Sequence, residues 1–169
     1  MSGAIVWFTG LPASGKTTLA HRVRAALPPV PGALVLDSDE LRAALGERGF
    51  ADDDRDRFYA IVARLAVMVA HQGLIALVAA TAPRRAHRDA ARASGAPFVE
   101  VWVRTSAEEC ARRDPKGLYA AARRGDVPAL PGVGAAYEPP ASPDVIADGG
   151  EDERALAAIL ELVARRADH

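Results

Sequence analysis

The run "AIVWFT" (Ala4–Thr9) followed at once by "GLPASGKT" (Gly10–Thr17) constrains this chain more than any other stretch. The first piece is short, continuously apolar and rich in β-branched and aromatic residues, as a strand buried on both faces requires. The second fits G-x-x-x-x-G-K-[ST], and "KTTLAHRVRAAL" behind it reads as a helix stopped by Pro28 and Pro29. Strand, glycine-rich turn and helix in this order make a phosphate cradle. Backbone N–H groups of the loop turn inward, and the helix N-terminus adds partial positive charge. Lys16 reaches the β- and γ-phosphates and the Thr17 hydroxyl offers a Mg²⁺ ligand. The expected ATP contacts are therefore Gly10, Ala13, Ser14, Gly15, Lys16, Thr17 and Thr18.

The pattern behind the loop is one of strands alternating with helices. "GALVLD" (residues 32–37), "LIALVAA" (74–80), "FVEVWV" (98–103) and the weaker "DVIAD" (144–148) read as four more strands. Residues 54–72 carry Phe58, Ile61, Val62, Leu65 and Val69 on one helical face. A helix is expected from Pro83, another over "SAEECARR" with Thr105 or Ser106 as its cap, and a last one over "EDERALAAILELVARR". Such alternation predicts an α/β fold of the P-loop kinase type: a three-layer sandwich around a five-stranded, mainly parallel sheet, in one domain spanning 1–169. Residues 114–143 break the pattern. They are rich in Pro and Gly without sustained periodicity, and so long a segment in a compact domain reads as an active-site lid.

Bulk composition excludes some functions. With a formal charge of −1, nothing suggests a sequence-independent nucleic-acid binder. No apolar run approaches the ~20 residues that span a bilayer, and the N-terminus lacks the features of a signal peptide. A cytoplasmic protein without membrane or nucleic-acid partners is expected, with a homodimer left open. The single cysteine, Cys110, reads as a small apolar residue on a helix. One compositional feature is informative: nineteen of the 21 basic residues are Arg, and the two lysines are Lys16 and Lys116. The first stands where the phosphate loop demands Lys, so the second, inside the expected lid, is a candidate for a placement by function.

Acidic residues gather at the end of the second strand, in "LVLDSDELR". Open parallel sheets bind ligands at the carboxyl ends of their strands. Asp37 could hold Mg²⁺ through water or accept the proton of an attacking hydroxyl; Asp39 could support either role. The other reading is a cap, by Ser38 or Asp39, on a helix over "ELRAAL". Arg42 and Arg55 could clamp an anionic substrate.

These stretches resemble adenylylsulfate kinase, from Ile5 to about Asp148. "WFTGLPASGKTT" is similar to the family's phosphate loop, "LDSDELR" to its D-G-D-N-x-R, and "GFADDDR" (residues 49–55) to its G-F-S-x-x-D-R. "RDPKGLYAAARRGDVPALPGVGAAYEPP" follows the family's lid, its most specific piece. The resemblance implies ATP-dependent, Mg²⁺-assisted phosphorylation of the 3′-hydroxyl of adenosine 5′-phosphosulfate. It implies Asp37 as the catalytic aspartate and metal-side residue alongside Thr17. It further implies Lys16 and Lys116 at the reacting phosphates, and Arg123 near the ATP base. Asp39, Arg42, Phe50, Arg55, Phe58, Gly117, Leu118 and Leu130 take acceptor-side positions. The departures are concentrated there: Phe58 stands for the family's Asn, Ala60 and Ile61 for two arginines, Ala82 for a serine, and Leu130 for an aromatic. Two alternatives follow from this split between an intact ATP half and an altered acceptor half. One is a same-fold kinase of another small-molecule hydroxyl, on a nucleoside, sugar or secondary metabolite. The other is a non-catalytic ATP-binding regulator, against which stands the retained set Lys16, Thr17, Asp37 and Lys116.

Overall fold

A computed structural model describes residues 3–127 and 129–167. In chain order the elements are β1 (Ala4–Thr9), α1 (Lys16–Ala26), β2 (Ala33–Asp37), α2 (Ser38–Leu45), α3 (Asp52–His71), β3 (Ile75–Ala79) and α4 (Arg85–Arg92). They continue with β4 (Phe98–Val103), α5 (Ala107–Arg113), α6 (Leu118–Arg124), β5 (Leu130–Pro131), β6 (Gly134–Ala135), β7 (Val145–Ala147) and α7 (Glu153–Ala167).

Five strands form one sheet in the order β2-β3-β1-β4-β7, and every neighbouring pair is parallel. The central strand explains why "AIVWFT" has no polar interruption: all six residues are buried, between β3 and β4. Its side chains alternate between two cores. Ile5 and Trp7 pack with Phe58, Val62, Ala66 and Val69 of α3, whereas Val6 and Phe8 pack with Leu19 and Val23 of α1 and Ile159 and Val163 of α7. The result is the expected three-layer sandwich. Because β1 lies between β3 and β4, the chain leaving it crosses β3 to reach β2, and the chain leaving β3 crosses back to β4. That reversal puts a crevice at the carboxyl ends of these strands. No helix among the described residues is long and apolar enough to cross a membrane.

Three local expectations are corrected. The buried stripe of α3 runs through Phe58, Tyr59, Val62, Ala63, Ala66, Val69 and Ala70, leaving Ile61 and Leu65 only half-buried. Its alanines, weak as a periodic signal, are what let the helix approach the sheet. Next, α2 is capped neither by Ser38 nor by Asp39 but by Asp37, whose Oδ1 accepts from the N–H groups of Asp39 (2.9 Å) and Glu40 (3.3 Å). Finally, the segment expected to act as a lid holds structure of its own. Gly117 and Gly125, both left-handed, bound the short helix α6, and β5 pairs with β6. Seven residues are too few to show a helical period. At α5 the cap is Ser106, which accepts from Glu109 N, and Cys110 is fully buried as expected.

A buried ionic group welds the lid's return to the sheet. The Arg88 side chain, fully enclosed, donates to Glu100 (2.8 Å), to the Ala82 carbonyl (2.5 Å) and to the Glu138 carbonyl (2.8 Å). Removing one partner of such a group strands the others without water. Arg88→Leu is accordingly expected to lower stability by about 3 kcal/mol. Urea denaturation checks this: the midpoint should fall while its slope stays constant.

Candidate active site

Two loops at the carboxyl ends of the strands build the site. The first joins β1 to α1 and closes tightly on itself. A side chain at Gly10 would come within 2.5 Å of the Val103 carbonyl, and one at Gly15 (φ +105) within 2.5 Å of Gly150 N. Ala13 also sits in the left-handed region, at φ 64. This winding turns the chain so that α1 begins at Lys16 without any side chain capping it. The first N–H groups of α1 therefore face the loop's interior unclaimed by a side chain. Ser14 is buried and its Oγ has no hydrogen-bond partner among the described residues. A hydroxyl left so inside a protein points to a polar ligand.

Lys16 is buried at the centre of this loop, its Nζ donating to the carbonyls of Gly10 (3.0 Å) and Leu11 (2.8 Å). Burial disfavours the ammonium more than Asp39 and Asp37 favour it, and its pKa is pushed down to about 8. Thr17 donates its hydroxyl to Asp37 Oδ2 at 2.6 Å, joining the loop to the end of β2. Thr18 lines a cavity of about 420 Å³ with Gly15, Arg113 and the loop Asp148–Asp152. Arg123 lies exposed in the last turn of α6 and is not among that cavity's lining residues.

A second cavity, of about 500 Å³, lies between the start of α3, the segment before α4 and residues 129–138. Phe50, Asp52, Arg55, Pro83, Arg84, His87, Ala129 and Glu138 are among its walls. Arg55 ties α3 to the lid by donating to the Ala129 carbonyl at 2.6 Å. Arg42 donates to the Gly49 carbonyl at 3.0 Å, and its guanidinium carbon lies 4.6 Å from the centre of the Phe50 ring and 3.9 Å from that of Phe58. Phe58 itself is completely buried beneath Arg42, facing the core rather than the cavity. Leu130 is half-buried in β5, next to Ala129.

The segment expected to act as a lid contacts both α2 and the phosphate loop. Lys116, just before the left-handed Gly117 and Leu118 at the start of α6, forms an ion pair with Asp39. Tyr119 is buried, and its hydroxyl donates to the Pro12 carbonyl of the phosphate loop at 2.8 Å.

One cluster was missed in the sequence. Arg84 pairs with Asp52 and Asp56 at 2.9 Å each, and His87 Nε2 lies 2.7 Å from Asp56 Oδ1. The hydrogen bond from His87 holds the Asp56 carboxyl below its usual range, while burial pushes the His87 imidazole down. Its members come from two helices and carry no motif.

With this geometry, the comparison with known proteins is decisive. The profile of a family described as Adenylylsulphate kinase matches residues 2–148. The chain belongs to the adenylylsulphate kinase family. An adenylyl-sulfate kinase from Acaryochloris marina is 38% identical over 168 residues, covering 96% of this chain and 82% of that protein. The bifunctional enzyme NodQ of Azospirillum brasilense is 44% identical over 170 residues, but this chain spans only 27% of NodQ's length. Among solved structures, the APS kinase of Mycobacterium tuberculosis in complex with AMPPNP and APS superimposes with a TM-score of 0.88. It is 37% identical, and the match covers 96% of this chain and 98% of that one. The fold is thus that of a P-loop kinase.

The depressed pKa of Lys16 has a measurable sign. Below pH 8 the ammonium is charged before and after a polyanion binds. Above it the free protein's lysine is neutral, and binding must recharge it. ATP binding should therefore take up about half a proton per site at pH 8 and almost none at pH 6.5. Titration calorimetry in two buffers of different ionisation enthalpy measures the uptake directly; a value of zero at pH 8 contradicts it.

Proposed function

We propose that this chain transfers the γ-phosphoryl group of ATP to the 3′-hydroxyl of adenosine 5′-phosphosulfate. The observation that supports the reading is the Thr17–Asp37 hydrogen bond, which joins the phosphate loop to a carboxylate at the end of β2, in a chain that also carries a cavity lined by Arg55 and Arg84. The residues fit a Mg²⁺–nucleotide. The partnerless Ser14 hydroxyl, the close-wound glycines and the uncapped start of α1 suit a polyphosphate, and Thr17 with Asp37 suits the metal. Mg²⁺ would supply neutralisation of charge on the transferring phosphoryl group.

In the proposed reaction the acceptor oxygen forms a bond to the γ-phosphorus as the bond to the β-bridging oxygen breaks, and ADP leaves. Little covalent help is needed from the protein, so positioning and charge carry most of the acceleration. Lys16 exchanges its loop carbonyls for phosphate oxygens. Arg42 and Arg55 meet the anionic end of the acceptor, for which a guanidinium is geometrically suited. Lys116 faces the same region from the lid. Asp37 is positioned by two sets of donors, yet a carboxylate retains lone pairs beyond these and can accept the hydroxyl proton or hold the metal's water.

ADP release with adenosine 5′-phosphosulfate as acceptor, together with identification of the 3′-phosphorylated product, tests the activity. Protein that binds ATP but makes no such product at millimolar acceptor overturns it. Asp37→Asn keeps the oxygen that caps α2 and removes the charge. Its kcat should fall by about 10²-fold or more with a nearly unchanged melting temperature. A rise confined to the acceptor KM would assign Asp37 to binding instead.

A further inference from the structure

The arrangement under the acceptor cavity assigns a function to the residue where the family's asparagine is replaced. We infer that Phe58 is a positioning residue: its ring is the floor on which Arg42 rests, and Arg42 in turn supports Phe50. The inference rests on the reading of the cavity as the acceptor site.

The guanidinium carbon of Arg42 lies over both rings, closer to the fully buried Phe58 than to Phe50, which is 44% exposed. Three layers of increasing exposure are thereby stacked from the core outwards. Phe58 is fixed by α3 and by its edge contact with Tyr59, ring centres 5.3 Å apart. Arg42 is held between the Phe58 and Phe50 rings and by the Gly49 carbonyl. Phe50, the outermost, lines the cavity.

An aromatic floor and an amide floor act differently on an arginine. An asparagine at this position would present a carbonyl oxygen that takes up in-plane N–H groups. A ring attracts the guanidinium through its face and consumes none of them. The contact to Gly49 uses fewer donors than a guanidinium carries, so the remainder stay available to an anion bound beside Phe50. The replacement thus fits an acceptor whose charged group is met mainly by Arg42. It also accounts for a bulky ring at a position fully enclosed by protein.

Phe58→Met keeps most of the volume and loses the aromatic face; Phe58→Leu serves if the first variant does not fold. With adenosine 5′-phosphosulfate as the varied substrate, the acceptor KM should rise about tenfold while the KM for ATP stays within twofold. A purely structural role would lower the melting temperature and leave that split absent. In an Arg42→Ala background, the same Phe58 substitution should change kcat/KM for the acceptor by less than about twofold, because the group it positions is gone. An unshifted acceptor KM in folded variants, or a full tenfold loss in the Arg42→Ala background, overturns the inference. If the wild-type protein itself does not phosphorylate adenosine 5′-phosphosulfate, the functional reading fails and this inference falls with it. A wild type that turns over beside an unshifted variant overturns this inference alone.

Discussion

The Asp37 carboxylate divides its two oxygens between two helices, and the site is organised around that division. Oδ1 caps α2, and Oδ2 receives the Thr17 hydroxyl from the first turn of α1. The strands that deliver these groups are not neighbours, since β3 runs between β1 and β2. The bond therefore bridges the end of β3 and sets the distance between the phosphate loop and the start of α2. It also makes the two helix starts electrostatically unequal. The positive end of α2 is answered by a fixed carboxylate, whereas that of α1 has no side-chain cap. An anion entering the crevice meets its strongest pull at α1, where Lys16 stands. Asp37 thus confines the attraction to one place as well as bridging the two halves.

The sheet was legible because β1, β3 and β4 are buried on both faces and so carry unbroken apolar runs bounded by turn residues. The phosphate loop was legible for a related reason. Its conformation demands residue types, glycine above all, that leave little freedom at fixed spacing. Features that depend on tertiary neighbours were not readable. The cap on α2 was expected one or two residues late, because a strand-ending aspartate is indistinguishable in sequence from one that points at solvent. The sequence pattern set Phe58 on the apolar face of α3 while the family resemblance set it on the acceptor side; the structure buries it fully, and Tyr59, Ala63 and Ala66 take the places on the stripe expected for Ile61 and Leu65. The Arg84–Asp56–His87 cluster joins residues about 30 positions apart, and an arginine-rich chain offers many such pairings by composition alone.

The surroundings of Lys116 bear on why a lysine stands at position 116. Its segment is attached in two unequal ways. At its base, Tyr119 is buried and bonded to Pro12, and Asp114 takes the N–H groups of Tyr119 and Ala120, both at 3.0 Å. Together they tie the start of α6 to the phosphate loop, with the Tyr119 side chain itself buried. The Lys116–Asp39 pair is the opposite case, with both side chains more than half exposed. Exposed pairs of this kind contribute about 0–1 kcal/mol. Lys116 can therefore leave Asp39 for a more highly charged group in the crevice at small cost, without disturbing the anchored base. An arginine there would tend to engage Asp39 through both arms of its planar fork and give it up less readily. A compact, freely turning ammonium suits a partner exchange. In a chain whose other basic residues, Lys16 apart, are all arginine, that physical difference between the two cations suits the exposed, singly paired position that Lys116 holds.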